Sequence, residues 1–182
     1  MTTIIIIAFV LVAALWVVSV QRKLVGREEL CKNAMSQIGV QQNSRWDALT
    51  ALAELVKSYN EHEYRTICDV ISKRSTITGA SKASEADAQE AYLGSALKNI
   101  KIVAEQYPQL KASENYGKAM ESVNVYENQV RMSRMVYNDS ITRFNKTVRQ
   151  FPDSLVAGIL GFAVKDYLAE DVTKAQMPSM KI

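Results

Sequence analysis

Thr2-Thr-Ile-Ile-Ile-Ile-Ala-Phe-Val-Leu-Val-Ala-Ala-Leu-Trp-Val-Val-Ser-Val20 follows Met1 directly and carries no ionisable side chain. At about 1.5 Å per residue a helix of this stretch spans about 28 Å, close to the ~30 Å apolar thickness of a bilayer. The twelve Ile, Val, Leu and Phe side chains between Ile4 and Val20 favour insertion by at most about 4 to 7 kcal/mol. A cleaved signal peptide needs a basic start, a shorter apolar core and a small-x-small cut site. Met1-Thr2-Thr3 has no basic side chain, and Val18-Ser19-Val20-Gln21 offers no such site. A core helix apolar on every face would need a larger protein around it. Residues 1–20 are therefore expected to be a transmembrane anchor.

Arg22, Lys23, Arg27 and Lys32 lie just past this span, while the short N-terminal side has no basic residue. The positive-inside rule then puts the N-terminus outside and residues 21–182 in the cytoplasm, as a single-pass protein. Arg22, Lys23 and Arg27 also face anionic lipid, although three charges are a weak electrostatic anchor.

Residues 21–182 suit one domain, and seven Gly with three Pro are too few for a loop-rich β protein. The net charge of +3 comes from interspersed signs, which excludes a nucleic-acid patch. Cys31 and Cys68 lack the paired Cys or His of a zinc spacing, and in a reducing compartment they are expected as free thiols.

Apolar residues recur at threes and fours through Leu24, Cys31, Met35, Ile38, Leu49, Leu52, Val56, Tyr59, Ile67 and Val70, a coiled-coil-like stripe. It keeps phase across Gly39 to Ser44, with Gln42 and Arg45 in seam positions. Gly39 costs about 1 kcal/mol of helix propensity relative to Ala, so it marks a kink or a turn. A reversal there would drive the longer returning leg into the bilayer, which favours a continuous, kinked first helix that ends in the Ser75 to Ser84 turn cluster. Ser84 with Asp87 reads as an N-cap with an acidic first turn. A second helix carries Tyr92, Ala96, Ile100, Val103 and Tyr107 and stops at Pro108.

A third helix from Ser113 keeps a seam through Tyr116, Met120, Val123, Glu127, Val130, Arg134, Tyr137, Ile141, Phe144 and Val148. Charges in a seam must be paired, because an unpartnered buried ion costs several kcal/mol. Arg45, Glu127 and Arg134 are therefore expected to form an ionic layer. After Phe151-Pro152, residues Ser154 to Ala169 form a final short helix. The expected fold is all-α, with the transmembrane helix continuing into an antiparallel four-helix bundle of three long helices and one short one.

In that arrangement the stripe Leu24, Cys31, Met35 and Ile38 has no intrachain partner, so it is a candidate self-association surface and the chain a homo-oligomer. Leu155, Ile159 and Phe162, beside Gly158 and Gly161, form either a docking patch for another membrane protein or a cap on the bundle.

Four ordered stretches carry a family resemblance: Met35-Ser-Gln-Ile-Gly-Val-Gln-Gln-Asn-Ser-Arg-Trp-Asp-Ala-Leu, Tyr107-Pro-Gln-Leu-Lys-Ala, Glu127 with Arg134 and Tyr137-Asn138, and Phe151-Pro-Asp-Ser-Leu-Val-Ala-Gly-Ile-Leu-Gly-Phe. In these the chain resembles the LemA family over the anchor and nearly all of the body. Gly39 stands where the family usually has Asp, and Thr50-Ala51 where it has Ile-Pro. The resemblance implies a bacterial single-pass inner-membrane protein with a four-helix bundle and no established catalytic role. One relative acts among the proteins that build magnetosome membranes, which implies a scaffold.

The residues offer little to catalysis. His62 is the only histidine, and Glu61 and Glu63 beside it on a helix point away from it; a metal site wants a ligand one turn away. Cys68 is six positions from His62, not a helical neighbour spacing. Neither a Gly-x-Ser-x-Gly elbow nor a phosphate loop is present. Glu127 with Arg134 reads better as a register device than as a proton-active pair, and Cys31 better as a small helix residue than as an acylation site. The expectation is a non-enzymatic membrane scaffold without cofactor, metal or catalytic residue, partnered by lipid, by itself and by another membrane protein.

Overall fold

A computed structural model describes residues 1–169, and every element among them is a helix. Residues 170–182, the end of the expected body, lie outside the described residues. Helix α1, Thr2–Lys57, is unbroken over 56 residues, about 84 Å at 1.5 Å per residue. No proline interrupts it, and it passes through Gly39 as helix.

The stretch expected to run on to Ser75 instead breaks at Ser58 to Asn60. Asn60 is extended, and its side-chain oxygen accepts from the backbone N–H groups of His62 and Glu63, capping α2, Glu61–Ile71. An Asn with acidic residues just after it is an N-terminal signal. The apolar stripe stays in phase across the break, which hid it.

Helix α3, Ala83–Gln106, begins one residue before the expected cap Ser84, with Glu85 accepting from the backbone N–H of Lys82. The one-turn α4, Pro108–Lys111, leads to α5, Glu114–Arg149, whose N-cap Ser113 accepts from the backbone of Tyr116. Last comes α6, Asp153–Ile159. The helix expected to reach Ala169 thus ends early: Gly161 takes a positive φ of 76°, a conformation that suits glycine, and residues 162–169 are non-helical.

At 36 residues, α5 is about 54 Å long. That matches the part of α1 beyond the apolar segment, so α5 lines all of it. The pairings descend along α5 as they ascend along α1: Arg27 meets Thr147, and Arg45 meets Glu127. This length overturns the expectation that Leu24, Cys31, Met35 and Ile38 lack an intrachain partner. All four are buried in a core with Ile77, Tyr137, Ile141, Phe144, Val156 and Leu168, so the stripe is an internal seam and offers no surface to another copy. A second core further from the apolar segment joins Trp46, Leu49, Leu52 and Val56 to Ile67, Leu93, Ile100, Val103 and Val123.

Gly39 has a different reason from the expected kink. The connection from α2 to α3 crosses α1 so closely that a Cβ at Gly39 would lie 1.9 Å from the Ile77 carbonyl oxygen. Gly39→Ala is therefore expected to destabilise the fold by about 2 kcal/mol despite alanine's higher helix propensity. Gly26→Ala, on the same helix with open space around it, is expected to stabilise by up to about 1 kcal/mol. Urea unfolding of the two variants in detergent compares them.

Candidate functional site

Two features of the body have chemistry beyond ordinary packing: a polar layer, and a clamp on the strap, the non-helical segment 162–169 that follows α6. The polar layer starts at Arg45, whose side chain is 3% exposed. Its Nη1 donates to Glu90 Oε1 at 2.6 Å and its Nη2 to Glu127 Oε2 at 3.4 Å. Arg134, the third residue expected here, turns instead to Asp87 of α3 at 2.7 Å, and the same Nη2 donates to the Ala169 carbonyl at 2.7 Å.

Two acids of α3, Asp87 and Glu90, thus complete the layer, and sequence reasoning missed that role for both. Asp87 had been assigned to the first turn of its helix, yet the i, i+3 spacing of the pair places them on one face. Glu90, Glu127 and Asp87 with Arg45 and Arg134 line an open cavity of about 540 Å³ between α3 and α5, together with Lys101 and Arg131. The buried Arg45 guanidinium meets two carboxylates and the half-buried Arg134 one, an arrangement in which removing one partner costs far more than the pair contributes. Beside it, Gln89 accepts from Trp46 Nε1 at 3.2 Å and from the Ser75 backbone N–H at 3.0 Å, and donates to the Lys73 carbonyl at 3.1 Å. One side chain of α3 therefore fastens the crossing connection to α1.

The clamp holds residues 165–169 by their main chain. Asn145 donates to the Lys165 carbonyl at 2.8 Å and accepts from its N–H at 2.9 Å. Asn138 does the same for Leu168 at 3.2 and 3.0 Å. Tyr137 Oη donates to the Asp166 carbonyl, and Asp87 Oδ2 accepts from the Ala169 N–H. Seven positions of helix cover about 10.5 Å and three residues of extended chain about 10 Å, so the two asparagines match the strap's repeat. Burial pushes the Tyr137 hydroxyl up to about 12, which keeps it a neutral donor at any physiological pH.

The other sequence candidates are dispersed. Leu155 and Ile159 are 58% and 85% exposed, but Phe162 turns inward, 6.3 Å from the Phe144 ring, so the three do not form one patch. Burial raises the Cys31 thiol above its usual value, which makes it a poor nucleophile. His62 is exposed. Tyr64 is held protonated by the hydrogen bond it donates to Glu54 at 2.7 Å. Among the described residues no group of three or more His, Cys, Asp and Glu side chains is placed to hold a metal ion.

Removing either clamp asparagine leaves a backbone N–H and C=O without partners. Asn138→Ala and Asn145→Ala are each expected to cost about 2 to 3 kcal/mol, and Asn124→Ala on the exposed face of α5 less than about 0.5 kcal/mol, read by urea unfolding.

No curated protein matches the chain. The family profile described as "LemA family" matches residues 34–182, from inside α1 through the clamp. With most of its length covered, the chain belongs to the LemA family.

Proposed function

We propose that the protein is a non-enzymatic scaffold of the bacterial inner membrane, anchored by the start of α1, with its helical body in the cytoplasm, its N-terminus outside and copies associated side by side. The observation that carries this reading is the continuity of α1. Among the described residues one helix is long and apolar enough to cross a membrane, its apolar window is only 6% buried within the chain, and the same helix supplies the body's central seam. A span joined to a body without a hinge transmits position and orientation, which is what a scaffold requires. The descending order of α5 contacts along α1 supports an antiparallel four-helix bundle for the body. Arg22, Lys23, Arg27 and Lys32 support the cytoplasmic placement.

Association between copies is supported by the α1–α5 face that carries no other element. Leu30 and Val136 line one shallow groove there, and Ala48, Ala51 and Ala119 another. Small side chains let helices approach closely, and a shared bilayer holds all copies parallel and level. The buried stripe around Cys31 plays no part in this contact. The matched charges of the polar layer serve register rather than turnover.

Fluorescently tagged full-length chain, at native expression in the cell membrane, is expected to bleach in two or more steps per spot. Leu30→Glu with Val136→Glu is expected to return single steps. Single steps from the unaltered chain would remove self-association from the proposal.

A further inference from the structure

We infer that the body carries a second membrane-contact surface, made by α6 and the end of α5, which seats apolar side chains in the bilayer interface and a ring of cations on anionic lipid headgroups. The inference rests on the proposed anchor and adds a lipid-binding site to it.

The geometry fixes where α6 lies. Lys23 pairs with Asp153 at 2.7 Å, and Val156 and Ala157 share a buried core with Val20 and Leu24. Helix α6 is therefore packed against the last turn of the apolar segment, at the height where hydrocarbon gives way to headgroups. Its other face and the turn before it are bare: Leu155 and Ile159 on the helix are 58% and 85% exposed and Phe151 in the turn 75%. Three large apolar side chains in water at the far end of a body would be a liability, whereas beside a span they continue the same apolar surface. A short amphipathic helix lying in the interface plane buries such a face about 5 to 10 Å into the headgroup and acyl boundary.

Charge points to the same occupant. Sequence alone placed Arg22, Lys23 and Arg27 near the membrane. Because Arg27 donates to the Arg143 carbonyl and to Thr147, the C-terminal end of α5 lies at that height too and adds Arg143, Lys146 and Arg149. Among the described residues none of Arg22, Arg143, Lys146 and Arg149 has an ion-pair partner, while Asp153 is taken by Lys23 and Glu28 and Glu29 by lysines. Four uncommitted cations at the same end of the body as the apolar patch match an anionic lipid surface, where each basic side chain strengthens attraction by roughly fivefold.

The test uses full-length protein in vesicles of phosphatidylcholine and phosphatidylglycerol, with Cys68→Ser and a nitroxide on a single introduced cysteine. Labels at Leu155→Cys and Ile159→Cys are expected to collide with oxygen more than with a water-soluble nickel chelate, as in the acyl region. Ile102→Cys on the exposed face of α3 should show the reverse, and Val10→Cys within the span the deepest signal. Lys146→Glu with Arg149→Glu is expected to shift the Ile159→Cys label towards the aqueous pattern. An aqueous pattern at Leu155→Cys and Ile159→Cys beside a deep Val10→Cys overturns the second contact and leaves the anchor standing, whereas an aqueous Val10→Cys removes the anchor itself. Labels at α6 shielded from both relaxants mean that protein covers the patch, which overturns the lipid assignment. Depth at Ile159→Cys that ignores the charge reversal overturns the headgroup ring.

Discussion

The packing of α5 along α1 is the contact on which the other elements depend. A helix of 56 residues is not stable in water through propensity alone, since most helical stability in proteins comes from burying an amphipathic face. Its first third is apolar all round and suited to lipid. Everything beyond depends on Leu24, Cys31, Met35, Ile38 and Leu49 finding a partner. One helix of nearly equal length meets that need, and α2, α3, α6 and the strap fill the sides left open.

Two kinds of polar contact then specify the arrangement. Arg45 and Arg134 each reach across to α3, so that helix has one position in which both guanidinium groups meet carboxylates. Asn138 and Asn145 select a non-helical strap by its backbone rather than by its side chains. Ion pairs of this kind add little net stability once desolvation is counted. Their effect is on uniqueness, because a sliding helix would strand a buried charge. The strap in turn packs beside Tyr137 and Cys31 and leads the chain from α6 to the polar layer at Asp87.

Long periodic segments were readable without a structure, because burial on one face leaves a 3.6-residue signature. The seam of α5 from Tyr116 to Val148 is visible in this way, while the apolar first segment and the interruption at Pro108 are visible from composition and from the missing N–H of proline. The break at Asn60 was not, since the apolar stripe resumes in phase after it and a single cap is a weaker signal than ten periodic residues. Gly39 looked like a hinge because helix propensity is local, whereas its real constraint, the Ile77 carbonyl, lies 38 residues away in sequence. The partner of the Leu24 stripe is hidden for the same reason, since Tyr137, Ile141 and Phe144 lie far along the chain from it. In the polar layer the seam charges stood out, but the acids of α3 did not, because they flank its apolar face. The clamp asparagines were hidden as ordinary polar residues of a helix, and only the strap's backbone shows what they hold.

The central claim is that the apolar segment remains on the mature chain and holds the body at a bilayer. The most direct measurement is the intact mass of the protein after alkaline carbonate washing of cell membranes, taken on both pellet and supernatant. The account requires full-length chain in the pellet, beginning at Met1 or Thr2. A mature chain starting after Val20 and recovered in the supernatant would contradict it.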